Sequence, residues 1–231
     1  MGKRGQGYGS EDNLLRYREH RPDFLDNALR QSLKAADGVF KWVYPPRHLG
    51  TGEYREPEGF DFVQDERVLA LWRDFWPQKG KQPTWDAVVR LTDQSKTEWI
   101  LIEAKANRPE LCSSPCGANG GRRKISKAMG QVKEFLNVHH RFSWLGTYYQ
   151  YANRLACLYF LTQVAGVRAR LVFLFFYGDL FGDGTPCPGS EAEWRAPIDA
   201  CHLTLGLPKR HCLSNSVAEV FLPALAKQRS G

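Results

Sequence analysis

Residues Glu98 to Ala106 read Glu-Trp-Ile-Leu-Ile-Glu-Ala-Lys-Ala, a short apolar run that closes on two opposite charges. Its composition and length are those of a strand. Side chains of a strand alternate faces, so Trp99, Leu101, Glu103 and Lys105 share one face, and Ile100, Ile102 and Ala104 the other. The strand is otherwise apolar and belongs in the core. A Glu and a Lys side by side at the end of a core strand are costly unless something compensates. A bound metal and a phosphate would do so better than the mutual pair alone.

The preceding apolar run, Trp85 to Leu91, carries Asp86 at its start. Asp93 to Thr97 reads as a hairpin connection, and in an antiparallel hairpin the start of the first strand lies beside the end of the second. Asp86 and Glu103 then converge. Two carboxylates at one point repel unless a cation sits between them, and hard oxygen ligands suit Mg²⁺ or Mn²⁺. Lys105 points at the same spot, where its ammonium can hold a phosphate and orient an attacking water. The plainer reading of the same residues is a buried ion pair.

Around this hairpin the pattern alternates helix and strand. Asp23 to Ala36 and Phe62 to Trp76 have helical spacing, the second ended by Pro77. Phe40 to Tyr44 is a short apolar-aromatic run before Pro45-Pro46, and Arg47 to Gly59 reads as a loop. Asn107 to Lys124 reads as a long polar loop, followed by helices over Ile125 to His139 and Thr147 to Val164. Arg170 to Tyr177 has no alternation, as in a central strand covered on both faces. A helix is expected over Glu191 to Leu205 and a short element over Val217 to Leu222. The interleaving predicts an α/β chain.

Asp86, sixteen residues, then Glu103-Ala104-Lys105 on a hydrophobic strand resembles the signature of the PD-(D/E)XK nuclease superfamily, which includes restriction endonuclease-like and RecB-like enzymes. The resemblance covers about residues 62 to 178. It implies a restriction endonuclease-like αβββαβ core, a mixed central sheet flanked by helices, and Mg²⁺- or Mn²⁺-dependent phosphodiester hydrolysis. It implies Asp86, Glu103 and the Ala104 carbonyl as metal ligands and Lys105 as the catalytic lysine. Some members add a Glu from the first helix, for which Glu66 is the first candidate and Glu53 the second. RecB-like members carry a Gln, with Tyr four residues on, on a later helix. Gln150 fits the first, while Arg154 stands in place of the Tyr. Trp85 stands where the pattern has Pro. A bacterial family within the superfamily has a similar Trp72–Pro77 and Tyr148–Ala156 pattern, which brings no substrate with it.

Net charge of +7 suits a polyanionic partner. The expected partner is nucleic acid, DNA ahead of RNA, with Arg122, Arg123 and Lys124 on the polar loop as backbone contacts. The alternative is a non-catalytic nucleic-acid-binding protein of the same fold. A homodimer is an assembly to expect of such enzymes. Gly-rich residues 1–12 read as a disordered tail before a single domain over 13–231. Without an apolar leader or a spanning segment the expectation is a cytoplasmic protein. Six Cys in that setting are expected as free thiols, with Cys112 and Cys116 as half of a zinc site the minor alternative.

Overall fold

The computed structural model describes residues 9–35, 38–46, 56–93, 96–118, 120–180, 185 and 187–225. In chain order its elements are α1 (Gly9–His20), α2 (Pro22–Leu33), β1 (Val39–Tyr44), α3 (Glu66–Phe75), β2 (Ala87–Asp93), β3 (Lys96–Lys105), α4 (Arg108–Leu111), α5 (Arg122–Phe135), α6 (Tyr149–Tyr159), β4 (Ala169–Tyr177), α7 (Glu191–Leu205) and β5 (Val217–Pro223). The five strands form one mixed sheet in the order β1-β2-β3-β4-β5. The pairs β1/β2 and β2/β3 are antiparallel, and β3/β4 and β4/β5 are parallel.

Helices cover both faces of this sheet. On one, α1 and α2 bring Leu14, Tyr17, Leu25, Leu29 and Leu33 onto Val89, Ile100, Ile102, Val172 and Leu174. On the other, α3, α5, α6 and α7 pack over Val88, Trp99, Leu101, Leu171, Phe173 and Phe175. That two-sided burial is why β3 and β4 read as unbroken apolar runs. Capping marks the helix ends. Asp65 accepts hydrogen bonds from the Arg67 and Val68 N–H groups at 2.9 and 3.2 Å and starts α3. Gly206 ends α7 with φ +66°, where a Cβ would fall 2.2 Å from the Phe142 ring.

Several expected boundaries shift. Residues 9–12, expected in a tail, are the first turn of α1, which is tied down by Asn13 and the Gly9 N–H bonding to Asp179. The Phe62–Trp76 helix divides into a 3-10 turn at Asp61–Val63 and α3, because Asp65 takes the cap position. Phe40–Tyr44 lies within β1, paired to β2. Asn107–Lys124 is not one long loop: it contains α4, capped by Asn107, and the first turn of α5. The Thr147–Val164 helix is α6 followed by a π-helical segment, Phe160–Val164. Among the described residues no helix is long and apolar enough to cross a membrane.

Candidate active site

The β2/β3 register pairs Ala87 with Ile102, and one more step sets Asp86 opposite Glu103. Asp86 lies just before the strand, where its Oδ2 accepts a hydrogen bond from the Ala104 N–H at 2.7 Å. A side chain here takes the place of a missing ladder partner, because β3 runs on past the start of β2. The Ala104 carbonyl leaves the strand on that same open edge. Lys105 donates from Nζ to Glu103 Oε1 and, at 2.9 Å, to Gln150 Oε1 on α6. The Gln150 N–H is itself held by Ser113 Oγ at 2.9 Å. Asp86, Glu103 and Lys105, singled out by their spacing, and Gln150, singled out by the resemblance, are therefore brought into one cluster.

Arg154 completes the cluster. Its Nε donates to Glu103 Oε2 at 2.6 Å and its Nη1 to Asn153 Oδ1 at 2.6 Å, and its guanidinium lies 4.8 Å from the Trp85 ring centroid. The two positions at which the chain departs from the pattern it resembles, Trp85 and Arg154, thus touch each other. Glu103 is 1% exposed and sits between two cations. Burial alone would raise its pKa; Arg154, then Lys105, outweigh that and hold it below the ordinary carboxylate value. Asp86 has no such partner. Burial first, then the Glu103 charge, push it up to about 8 against the opposing pull of Lys105 and the Ala104 N–H.

This asymmetry makes a prediction. The folded pKa of Asp86 lies above its ordinary 3.8, so the stability it contributes is complete below that value and is lost as pH rises toward 8. In EDTA at neutral pH, Asp86→Asn, which keeps an acceptor for Ala104, is expected to melt higher than wild type. The gap should close as the buffer is taken toward pH 4. Equal melting temperatures at neutral pH would count against an uncompensated carboxylate.

Glu66 does not join the cluster. It is exposed in the first turn of α3, beside Arg67, whose Nη2 donates to Ala165 O at 2.8 Å. Ala165 precedes β4, whose first residue pairs with Trp99, so this end of α3 lies by Trp99, four residues or about 13 Å of strand from Glu103. Glu53 lies outside the described residues. The carboxylate that sequence reasoning missed is Glu56. An antiparallel bridge joins Glu58 to Thr84, with Gly59 N–H bonded to Pro83 O at 2.8 Å and Trp85 N–H to Pro57 O at 3.1 Å. Two residues further along this register Glu56 stands opposite Asp86, and its charge helps raise the Asp86 pKa. No motif marks Glu56; only the strand pairing finds it. Glu66→Gln is expected to leave stability within about 0.5 kcal/mol and divalent-cation affinity unchanged. Glu56→Gln should weaken that affinity in a calorimetric titration with Mn²⁺. Equal effects of the two changes would refute this placement.

Arg122, Arg123 and Lys124 are not on a flexible loop but form the first turn of α5, started by Gly121. Arg122 and Arg123 are exposed, while Lys124 donates to Arg73 O at 2.5 Å. All six cysteines are free thiols. Among the described residues no group of three or more His, Cys, Asp or Glu is arranged to hold a metal ion. The oxygen groups gathered at the cluster are those of Asp86, Glu103 and the Ala104 carbonyl, with Glu56 opposite Asp86. Comparison with family models, with curated proteins and with solved structures finds no match to this chain.

Proposed function

We propose that this chain is a metal-dependent nuclease of restriction endonuclease-like fold that hydrolyses phosphodiester bonds of nucleic acid, DNA ahead of RNA. The observation that carries the reading is the convergence of Asp86, Glu103, Lys105 and Gln150 from the ends of β2 and β3 and the start of α6. The element order also supports it. A helix, the strands β1 to β3, the helices α5 and α6, and β4 follow the αβββαβ order that the resemblance implies once α3, which stands between β1 and β2, and the short α4 are taken as insertions.

The donor set fits a hard divalent cation. Asp86 Oδ1 has no hydrogen bond among the described residues, and Glu103 oxygens can each accept more than one partner. Asp86, Glu103 and the Ala104 carbonyl would hold Mg²⁺ or Mn²⁺, with Glu56 rather than Glu66 as the further carboxylate. A bound ion would lower the pKa of an attacking water and offset charge on the phosphate. Lys105, steadied by Gln150, holds the phosphate and orients the water. Arg154 keeps Glu103 ionised and fixes its orientation.

One observation favours a second reading. Both Glu103 oxygens are engaged by cations of the chain itself, so the cluster is charge-compensated without a metal. A non-catalytic protein that binds nucleic acid on this fold would look the same. The test is cleavage of labelled linear and circular duplex, single-stranded DNA and RNA in Mg²⁺, Mn²⁺ and EDTA, beside a Lys105 variant. Metal-dependent cutting lost in the variant supports the nuclease. Binding that falls steeply with salt, with no cutting under any condition, supports the alternative.

A further inference from the structure

Next to the cluster lies a cleft of about 1120 Å³, bounded by residues 76–84, 113–118 and 120–121 and floored by Gln150, Asn153 and Arg154 at the start of α6. Its lining is one-sided in charge. Lys79, Lys81 and Arg154 line it, and among the described residues no Asp or Glu does. Lys79 and Lys81 are exposed and make no hydrogen bond or ion pair among the described residues.

Arg154 makes this more than a basic surface. Its side chain is 3% exposed, its Nε and Nη1 are spent on Glu103 and Asn153, and its guanidinium lies over the Trp85 ring, 4.8 Å from the centroid. No buried side-chain nitrogen or oxygen in the described residues lacks a partner. Its remaining nitrogen, Nη2, has no hydrogen bond and is therefore open to the cleft it floors. A fixed guanidinium edge facing a cleft without acids is a phosphate receptor.

We propose that the cleft seats a single nucleic-acid strand, with Arg154 taking a phosphate beside the reacting one and Lys79 and Lys81 taking phosphates farther out. This rests on the nucleic-acid reading above and names the form of the substrate. The floor position of Arg154 selects the single strand. A phosphate must descend between two loops to reach Nη2, which a flexible strand can do and a stiff duplex, with its phosphates on a convex backbone, cannot. Tyr149, half-buried in the cleft wall, offers a ring on which a base can stack.

The test is fluorescence anisotropy with a labelled short oligothymidylate and a hairpin duplex of equal charge, both in EDTA so that binding is read without cleavage. Wild type is expected to bind the single strand about tenfold or more tighter than the duplex. In Lys79→Ala/Lys81→Ala, whose side chains make no hydrogen bond or ion pair among the described residues, single-strand affinity should fall on the order of tenfold at about 0.1 M salt. The slope of log K against log salt should shrink by about 1.4, two phosphate contacts at about 0.7 each. Arg154→Lys keeps the charge beside Glu103 but loses the open edge and the Asn153 bond, and is expected to bind several-fold more weakly, with a thermal melt alongside to show that the variant is folded at the binding temperature. A duplex bound as tightly as the single strand, or an unchanged slope in the double variant, would overturn the proposal. Strand binding as expected without metal-dependent cutting would leave the cleft assignment standing and remove the nuclease. Cutting without strand preference would do the reverse.

Discussion

Replacing Glu103 with Gln is expected to cost about 3–5 kcal/mol of stability and to abolish metal-dependent cleavage. Among the described residues the carboxylate is the sole acidic partner of Lys105 and Arg154 in the ion pairs of this cluster, and all three side chains are under a tenth exposed. A neutral amide leaves two cations buried side by side without an ion-pair partner among the described residues, with only the unpaired Asp86 carboxyl near enough to act on them. It also turns one N–H of Gln toward an N–H of Lys or Arg, since neither cation can accept. At about 2–4 °C per kcal/mol for a chain of this size, the melting temperature should fall by roughly 6–20 °C. Thermal melts by circular dichroism would measure this, with Mn²⁺ affinity by calorimetry alongside. A variant that melts with wild type would show that the pairing with Arg154 does not hold the fold together.

Lys105→Met is expected to separate the two roles that Glu103 combines. Met keeps the apolar stem and removes the bonds from Nζ to Glu103 and Gln150. Arg154 still pairs with Glu103 Oε2, so the carboxylate keeps a counter-ion and the stability loss should be smaller, about 1–3 kcal/mol. If Lys105 holds the phosphate during hydrolysis, cleavage should fall by about 10²–10³-fold. Mn²⁺ affinity should be retained, because neither Asp86 nor Glu103 has lost its position. Full activity in this variant would exclude Lys105 from the chemistry. Lost metal binding would mean that it serves mainly to set the Glu103 geometry.

The two variants differ because neighbouring residues of one strand face have unequal partners, and this inequality was only half visible in the chain. That Glu103 and Lys105 share a face follows from strand alternation, a local property. That Asp86 comes to meet them follows from a hairpin, in which short connections leave few pairings to consider. Gln150 arrived by resemblance alone, and its bond to Lys105 spans forty-five positions that no periodicity links. Arg154 read as a mismatch to a pattern; its meaning as the second cation on Glu103 needed α6 to be packed against β3. Glu66 went wrong for the same reason. A helix of the right kind precedes Asp86, but its first turn is docked by Arg67 at the opposite end of the strand.

The sequence by itself determined which segments are strands and helices at the centre of the chain, and which side of β3 carries the charges. Those features depend on side-chain spacing along a few residues, and burial on both faces writes itself into the apolar runs of β3 and β4. Only the tertiary structure decided that Glu56 stands opposite Asp86 and that Trp85 braces Arg154. It also decided that Arg122, Arg123 and Lys124 form a helical turn rather than a loop. Each of these depends on a contact or a start site whose energy is shared among distant residues, such as the register between Glu58 and Thr84 or the Lys124 bond to Arg73. Local patterns carry no record of such partners, so the charge balance of the cluster became visible only when the sheet and α6 were assembled.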